Sequence, residues 1–167
     1  MDDWQLETLD AARDHDRALA LARRAADYVR LDTGRDPDAA YITEFFEDLP
    51  PGGNASDLMT LGIVTDDTLA GLLGMARGYE TESDWWIGLL LLDPKYRGRR
   101  LGAAVLAEIR RRARAEGIAA LKLAVLRTNP RGLAFWQAHG FVHHRDAPDH
   151  DDPSQDRVVL KHELKGG

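Results

Sequence analysis

The chain is expected to fold as an α/β (α+β) domain over residues 1–167, with a mixed central sheet of about six to seven strands flanked by about four helices. Three observations lead there. Segments of strand period and of helix period alternate along the chain, which builds layered architectures. No repeat, low-complexity tract or Ser/Gly linker divides it. Its 167 residues are the length of one domain, large enough to fold without a metal or disulfide staple.

Trp4 to Leu9 alternates as a short strand, and Asp10 is placed to cap the following helix. In that helix Ala18, Ala22, Ala25 and Val29 form an apolar stripe with Leu19 and Ala26. After Gly34 and Pro37, Ala39 to Leu49 forms a second helix, stopped by Pro50-Pro51-Gly52-Gly53. Leu58 to Thr65 and Leu69 to Gly78 make a hairpin across Asp66-Asp67. Trp85 to Leu92 is almost continuously apolar and belongs in the middle of the sheet. A basic turn from Pro94 leads into a helix whose core face repeats at Leu101, Val105, Ile109 and Ala113, ending at Gly117. Ile118 to Leu126 is the next strand. Asn129-Pro130 opens a short helix from Arg131 to His139, and Phe141 to Arg145 and Arg157 to Glu163 are the last strands.

Composition excludes several function classes. With 44% hydrophobic and 30% charged residues the chain is globular rather than disordered. It has no cysteine, hence no disulfide framework, thiolate metal site or thiol nucleophile. The start, Met1-Asp2-Asp3-Trp4, lacks the basic-then-apolar pattern of a signal peptide, and no apolar run approaches the length of a membrane span, so a cytoplasmic protein without membrane contact is expected. A net charge of −6 argues against nucleic acid as partner. Eight basic residues nevertheless crowd between Lys95 and Arg114, opposed only by Glu108. A local anion site within an acidic surround fits this pattern, and such a surround suits a cationic substrate.

The anion site is expected where a buried strand meets the basic turn, in Leu89-Leu90-Leu91-Leu92-Asp93-Pro94-Lys95-Tyr96-Arg97-Gly98-Arg99-Arg100-Leu101-Gly102-Ala103. Gly98 and Gly102 let backbone approach a ligand closely. The first turn of the next helix presents free N–H groups and a dipole that favours an anion, and Arg97, Arg99 and Arg100 add full charge. The group to be held is a phosphate or pyrophosphate. Neither the P-loop nor the Gly-x-Gly-x-x-Gly dinucleotide pattern is present.

These residues resemble the GCN5-related N-acetyltransferase (GNAT) superfamily, whose pyrophosphate motif is Arg/Gln-x-x-Gly-x-Gly/Ala at a helix start after a central strand. Here Arg97, Arg100 and Gly102 occupy the motif positions, with Arg100 where the family usually has glycine. Downstream, Asn129-Pro130-Arg131-Gly132-Leu133-Ala134-Phe135-Trp136-Gln137-Ala138-His139-Gly140-Phe141 is similar to the family's Asn-x-x-Ala-x-x-Phe-Tyr-x-x-x-Gly-Phe block, with Trp136 replacing the usual tyrosine. Together with the succession of elements, the two blocks cover nearly the whole chain. Leu49-Pro50-Pro51-Gly52 and the run from Gly78 to Leu89 also look like bacterial members of the family, and name no substrate.

The resemblance implies transfer of an acetyl group from acetyl-CoA, as co-substrate, to a primary amine by direct attack in a ternary complex. It implies that Leu90 and Leu92 offer backbone groups to the pantetheine arm, that Arg97, Gly98, Arg99, Arg100, Leu101, Gly102 and Ala103 hold the pyrophosphate, and that Asn129 and Trp136 bound the slot. An amine acceptor has a pKa of about 10.4 and benefits from a base. Glu82, just before the central strand, is the expected one, with Asp84 beside it. Glu44 and Glu47 would instead line a substrate pocket, and Tyr79 and Tyr96 are possible proton donors. Trp136 has no useful acidity. The acceptor is expected to be a small-molecule or peptide amine, and a homodimer would be common for the family. A non-catalytic acyl-CoA-binding protein is the alternative, on the strength of Arg100 and Trp136. His143, His144, Asp146, Asp149 and His150 are of metal-ligating types, but their spacing matches no helical or finger motif, so no metal is expected.

Overall fold

The computed structural model describes residues 3–164; residues 1, 2 and 165–167 of the expected 1–167 domain lie outside the described residues. Seven strands form one sheet in the order β1-β2-β3-β4-β5-β7-β6. They are β1 (Trp4–Thr8), β2 (Leu58–Thr65), β3 (Thr68–Arg77), β4 (Asp84–Leu92), β5 (Ala120–Leu126), β6 (Val142–Ala147) and β7 (Arg157–Glu163). Five helices accompany them: α1 (Ala11–Arg24), α2 (Ala26–Thr33), α3 (Ala39–Glu47), α4 (Leu101–Ala115) and α5 (Pro130–Ala138). All neighbours pair antiparallel except β4 and β5, which are parallel and joined through α4. Among the described residues no helix is long and apolar enough to cross a membrane.

Each expected element is present, with ends shifted by one or two residues. The difference is in the first helix, which divides at Ala25 into α1 and α2. No proline or glycine marks the division. At Ala25 the backbone leaves helical geometry (φ −100°, ψ 30°), and its carbonyl accepts from both Tyr28 and Val29. The stripe of Ala18, Leu21, Ala22, Ala25 and Val29 stays fully buried across the division. This interruption directs α2 along the sheet, where its Asp27, Tyr28 and Asp32 line a cavity.

The sheet separates two apolar layers. One holds α4, with Val105, Leu106 and Ile109 against Trp85, Ile87, Leu121 and Leu123. The other holds α1, α2 and α3, with Leu21, Val29 and Ile42 against Leu72 and Leu91. Side chains change layer along β4 because of a bulge. Gly74 pairs with Leu89 and Met75 with Ile87, so Gly88 is the extra residue. Before it Trp85 and Ile87 face α4; after it Leu90 and Leu92 do, while Leu91 faces the other helices. An inserted residue inverts the two-residue alternation of a strand.

The caps are those expected. Asp10 accepts from Arg13 N at 2.8 Å, and the buried Asp14 carboxylate accepts from Asp10 N at 2.7 Å. Asp66 and Asp67 both have positive φ, 51° and 58°, as a two-residue hairpin turn of the primed type requires. Hydrogen bonds from Arg13 outweigh burial and, with the Asp10 N–H and Arg17, hold the Asp14 carboxyl at about 2. A depressed carboxyl stabilises the fold above its ordinary range and loses that contribution as pH falls through its folded value. Asp14→Asn is therefore expected to cost about 2 kcal/mol at neutral pH, and to flatten the loss of stability between about pH 4 and pH 2, read by urea denaturation across that window.

Candidate functional site

β4 and β5 pair only from Asp84↔Ala120 to Ile87↔Leu123. Beyond that point β4 continues beside β3 as far as Leu92, and β5 beside β7 as far as Leu126. The facing edges of Gly88–Leu92 and Ala124–Leu126 therefore have no strand partner. The strands diverge around a cavity of about 390 Å³. Leu90, Leu92, Arg97, Gly102, Asn129 and Trp136 line it, so the structure brings together six of the residues expected to bind cofactor.

The turn below the cavity is built by Asp93. Its carboxylate accepts from Lys95 N at 2.9 Å and pairs with Arg24 Nε at 2.6 Å, tying the turn to α1. Burial works against the Asp93 charge, but the Lys95 N–H and the Arg24 guanidinium outweigh it and hold the carboxyl below its ordinary range. The chain then passes through Gly98 (φ 73°) and Arg100 (φ 63°) into α4. No side chain caps α4, and its first turn bond runs from Ala104 N to Arg100 O at 3.0 Å. The N–H groups of Leu101, Gly102 and Ala103 have no acceptor within the helix. Arg99 and Arg100 stand exposed beside this helix end.

Arg97 is occupied. Its guanidinium grips the Asp27 carboxylate through two bonds, 2.6 and 3.1 Å, and this pairing lowers the Asp27 pKa. The left-handed backbone at position 100 explains why glycine is usual there: an L-residue is disfavoured in that region by about 1–2 kcal/mol. Arg100→Gly is expected to raise stability by about 1 kcal/mol, measured as a rise in melting temperature. A fall would mean that the Arg100 side chain makes a stabilising contact.

The second block closes the slot. Asn129 caps α5 through Gly132 N at 2.9 Å, and a Cβ on residue 132 would lie 2.5 Å from the Asn129 amide nitrogen. The small residue at 132 is thus matched to the cap. Trp136 packs edge-on against Phe135 and Phe141, with centroids 4.9 and 5.2 Å apart. Gly102 faces the Phe135 ring of α5, where a Cβ would make contact at 3.4 Å.

Four polar side chains of this cavity were not anticipated from sequence: Asp27, Tyr28, Asp32 and Arg157. Burial, reinforced by Asp32, pushes the Tyr28 hydroxyl up to about 12, so it is protonated throughout the neutral range. Tyr28 and Asp32 do stand four apart on one helix face, but that spacing carries no functional signature.

A second cavity, of about 550 Å³, lies on the α3 side and shares Asp32, Gly88 and Leu89 with the first. Glu44 and Tyr79 line it; Glu47 does not. Glu82 is exposed in the β3–β4 turn and lines neither cavity. Asp84 is buried and held by Lys122 Nζ at 2.9 Å, so its carboxylate has a structural partner. Tyr96 is a core residue.

The remaining candidates are accounted for locally. On α4 Glu108 binds Arg111 and Arg112, and Arg110 donates to the His139 carbonyl. His143 Nε2 lies 2.8 Å from Asp146, which also takes Arg127 at 2.6 Å, and Asp149 accepts from the N–H groups of Asp151 and Asp152. Among the described residues no three His, Asp or Glu side chains are grouped to hold a metal.

The acetyltransferase (GNAT) family model matches residues 23–141. No curated protein sequence matches the chain. Among solved structures, an acetyltransferase from Thermus thermophilus superposes with a TM-score of 0.75 at 20% identity, covering 96% of each chain. The ribosomal-protein-S18-alanine N-acetyltransferase of Escherichia coli gives 0.71 at 15% identity, over 97% of this chain and 94% of that one. The PaiA N-acetyltransferase of Thermoplasma acidophilum, in complex with coenzyme A, gives 0.69 at 18% identity, over 96% and 99%.

Proposed function

The chain belongs to the acetyltransferase (GNAT) family, and on that premise we propose that it transfers an acetyl group from acetyl-CoA to a primary amine, the amine attacking the thioester directly in a ternary complex. The observation that carries this reading is the parting of β4 from β5 directly above an uncapped, arginine-flanked helix start. The residues fit the co-substrate. Free N–H groups of Leu101, Gly102 and Ala103, with Arg97 and the exposed Arg99 and Arg100, suit a diphosphate. The unpaired peptide edge through Leu90 and Leu92 suits the amide-bearing pantetheine arm, because buried peptide groups need partners. Asn129 and Trp136 bound that arm.

The two cavities meet at Gly88 and Leu89, so an amine entering from the α3 side reaches the end of the slot there. Backbone N–H groups on the free edge of β4 would stabilise the oxyanion of the tetrahedral intermediate. The thiol has a pKa of about 8.5 and leaves without strong acid help. That removes the need for an acid at Trp136, and the protonated Tyr28 in the same cavity supplies a hydrogen-bond donor. Because Glu82 lies outside both cavities, any proton it takes from the amine passes through water.

The test is thiol release from acetyl-CoA across a panel of primary amines, followed over pH. Release that requires the amine and rises with pH, as the amine deprotonates, supports transfer. Saturable acetyl-CoA binding with no release to any amine would replace transfer with a non-catalytic binding role.

A further inference from the structure

The cavity on the α3 side has a charge pattern that selects among amines. The carboxylates of Asp32, Glu44 and Asp48 border it, and among the described residues no lysine, arginine or histidine does. Asp32 is partly answered by Arg157 Nη2 at 3.1 Å. Glu44 and Asp48, four apart at the end of α3, have no cationic partner among the described residues, and both are exposed. Beside them stands Tyr41, whose side chain also lines the cavity and which is only 8% exposed. Its hydroxyl is inaccessible to solvent and bonds to nothing among the described residues. Since no solvent reaches that hydroxyl, it does not face the open space, and Tyr41 offers the cavity its ring rather than a polar atom. Burial first, and then Asp32, Tyr28 and Glu44, keep the hydroxyl protonated, so Tyr41 adds no charge there.

The other walls are apolar. Phe45, Met59, Met75 and Trp86 contribute, with Tyr79 set edge-on to Trp86 at 4.8 Å between ring centroids. A body the size of an aromatic ring is accommodated by such walls and by the faces of the rings, which also attract a cation. A carboxylate on the same small molecule would meet Glu44 and Asp48, and Asp32 with its charge partly answered by Arg157, with no cation among the described residues lining the cavity to answer it.

We propose that the acceptor is a primary amine with an apolar, ring-sized body and no carboxylate, selected against the corresponding amino acid by Glu44, Asp48 and Asp32. This rests on the acetyl-transfer reading. The attacking nitrogen comes from the junction at Gly88 and Leu89; its C–N bond forms as the carbonyl π bond opens to the oxyanion of the tetrahedral intermediate, the amine proton passes to water, and collapse of the intermediate breaks the C–S bond and releases the thiolate.

The experiment compares phenethylamine with phenylalanine and tyramine with tyrosine, which differ by the α-carboxylate. Acetylation is followed by thiol release, and binding of each compound alone is followed by saturation-transfer NMR. The amine is expected to be preferred over its amino acid on the order of 30-fold in both readouts. Glu44→Gln with Asp48→Asn, both at exposed positions, is expected to bring that preference down to a few-fold, with an unchanged circular dichroism spectrum. Equal handling of amine and amino acid, failure of either amine to bind, or a preference untouched by the double variant overturns the proposal. Transfer to amino acids with no preference would overturn it while leaving acetyl transfer intact. Selective amine binding without any thiol release would overturn acetyl transfer while leaving the charge selectivity standing.

Discussion

Replacing Arg97 by glutamate is expected to weaken acetyl-CoA binding by roughly 100-fold, measured by calorimetric titration. Removing one charge-assisted hydrogen bond costs about 1.5–3 kcal/mol, and each tenfold in affinity corresponds to about 1.4 kcal/mol. Reversing the charge adds repulsion at a helix start whose dipole and N–H groups favour an anion. The side chain is partly exposed and its one ion-pair partner among the described residues is Asp27, so folding is expected to survive the change. Arg114→Glu, exposed in the last turn of the same helix, is the control and is expected to leave affinity unchanged within about twofold at physiological salt. Asp27 competes with any phosphate for the Arg97 fork. Asp27→Asn is accordingly expected to tighten binding a few-fold in the same titration. If Arg97→Glu binds as tightly as the wild type, the diphosphate is not held at this turn.

The largest expected loss of stability comes from Lys122. Its side chain and that of Asp84 are each 5% exposed and meet at 2.9 Å where β4 and β5 begin to pair. Glu80, which also pairs with Arg145, lies 3.6 Å from the same ammonium. Lys122→Met removes the cation and leaves the Asp84 carboxylate buried without it. Breaking a buried pair in this way costs about 3–5 kcal/mol. Adding Asp84→Asn is expected to restore much of that loss, because the remaining buried group is neutral and its cost is that of an ordinary polar side chain. Urea denaturation of the two variants measures both numbers. Equal losses in the single and double variants would show that the unpaired Asp84 charge is not what costs the stability.

The sequence made the fold legible because local signals and tertiary structure agree almost everywhere. Asp10, Asp38 and Asn129 each cap the helix that follows, and Gly34 ends α2 in the left-handed conformation. Strand alternation, the four-residue repeat on α4 and the two aspartates of the hairpin specify their elements from within a few residues. The basic turn before α4 was legible for the same reason: its glycines, its arginines and the helix it opens are contiguous. The division at Ala25 was not, since alanine is the best helix former and nothing in its neighbourhood opposes a continuous helix.

Position 82 shows where chain order misleads. Glu82 lies next to β4 in sequence, yet the turn that carries it is exposed outside both cavities, while Glu44, on a helix far away in sequence, lines one of them. Asp84, two residues on, points the same lesson inward, toward Lys122. Neighbourhood along the chain does not fix which face of a sheet or which end of a strand a side chain serves.

By itself the sequence determined the succession of strands and helices, the central position of β4 and a glycine-containing helix start flanked by arginines, because each is a property of residues within a turn or two of one another. The tertiary structure alone decided the slot between β4 and β5 and the cavity on the α3 side. The run Leu89 to Leu92 is uniform, so its periodicity cannot reveal that the bulge at Gly88 inverts which leucines face α4. Nor can it show where β5 leaves β4, since parting depends on β3 and β7 claiming the outer edges of the two strands. Asp27, Tyr28, Asp32, Tyr41 and Glu44 converge on those cavities only once α2 and α3 pack over the sheet, and contacts between residues so distant in sequence leave no local pattern to read.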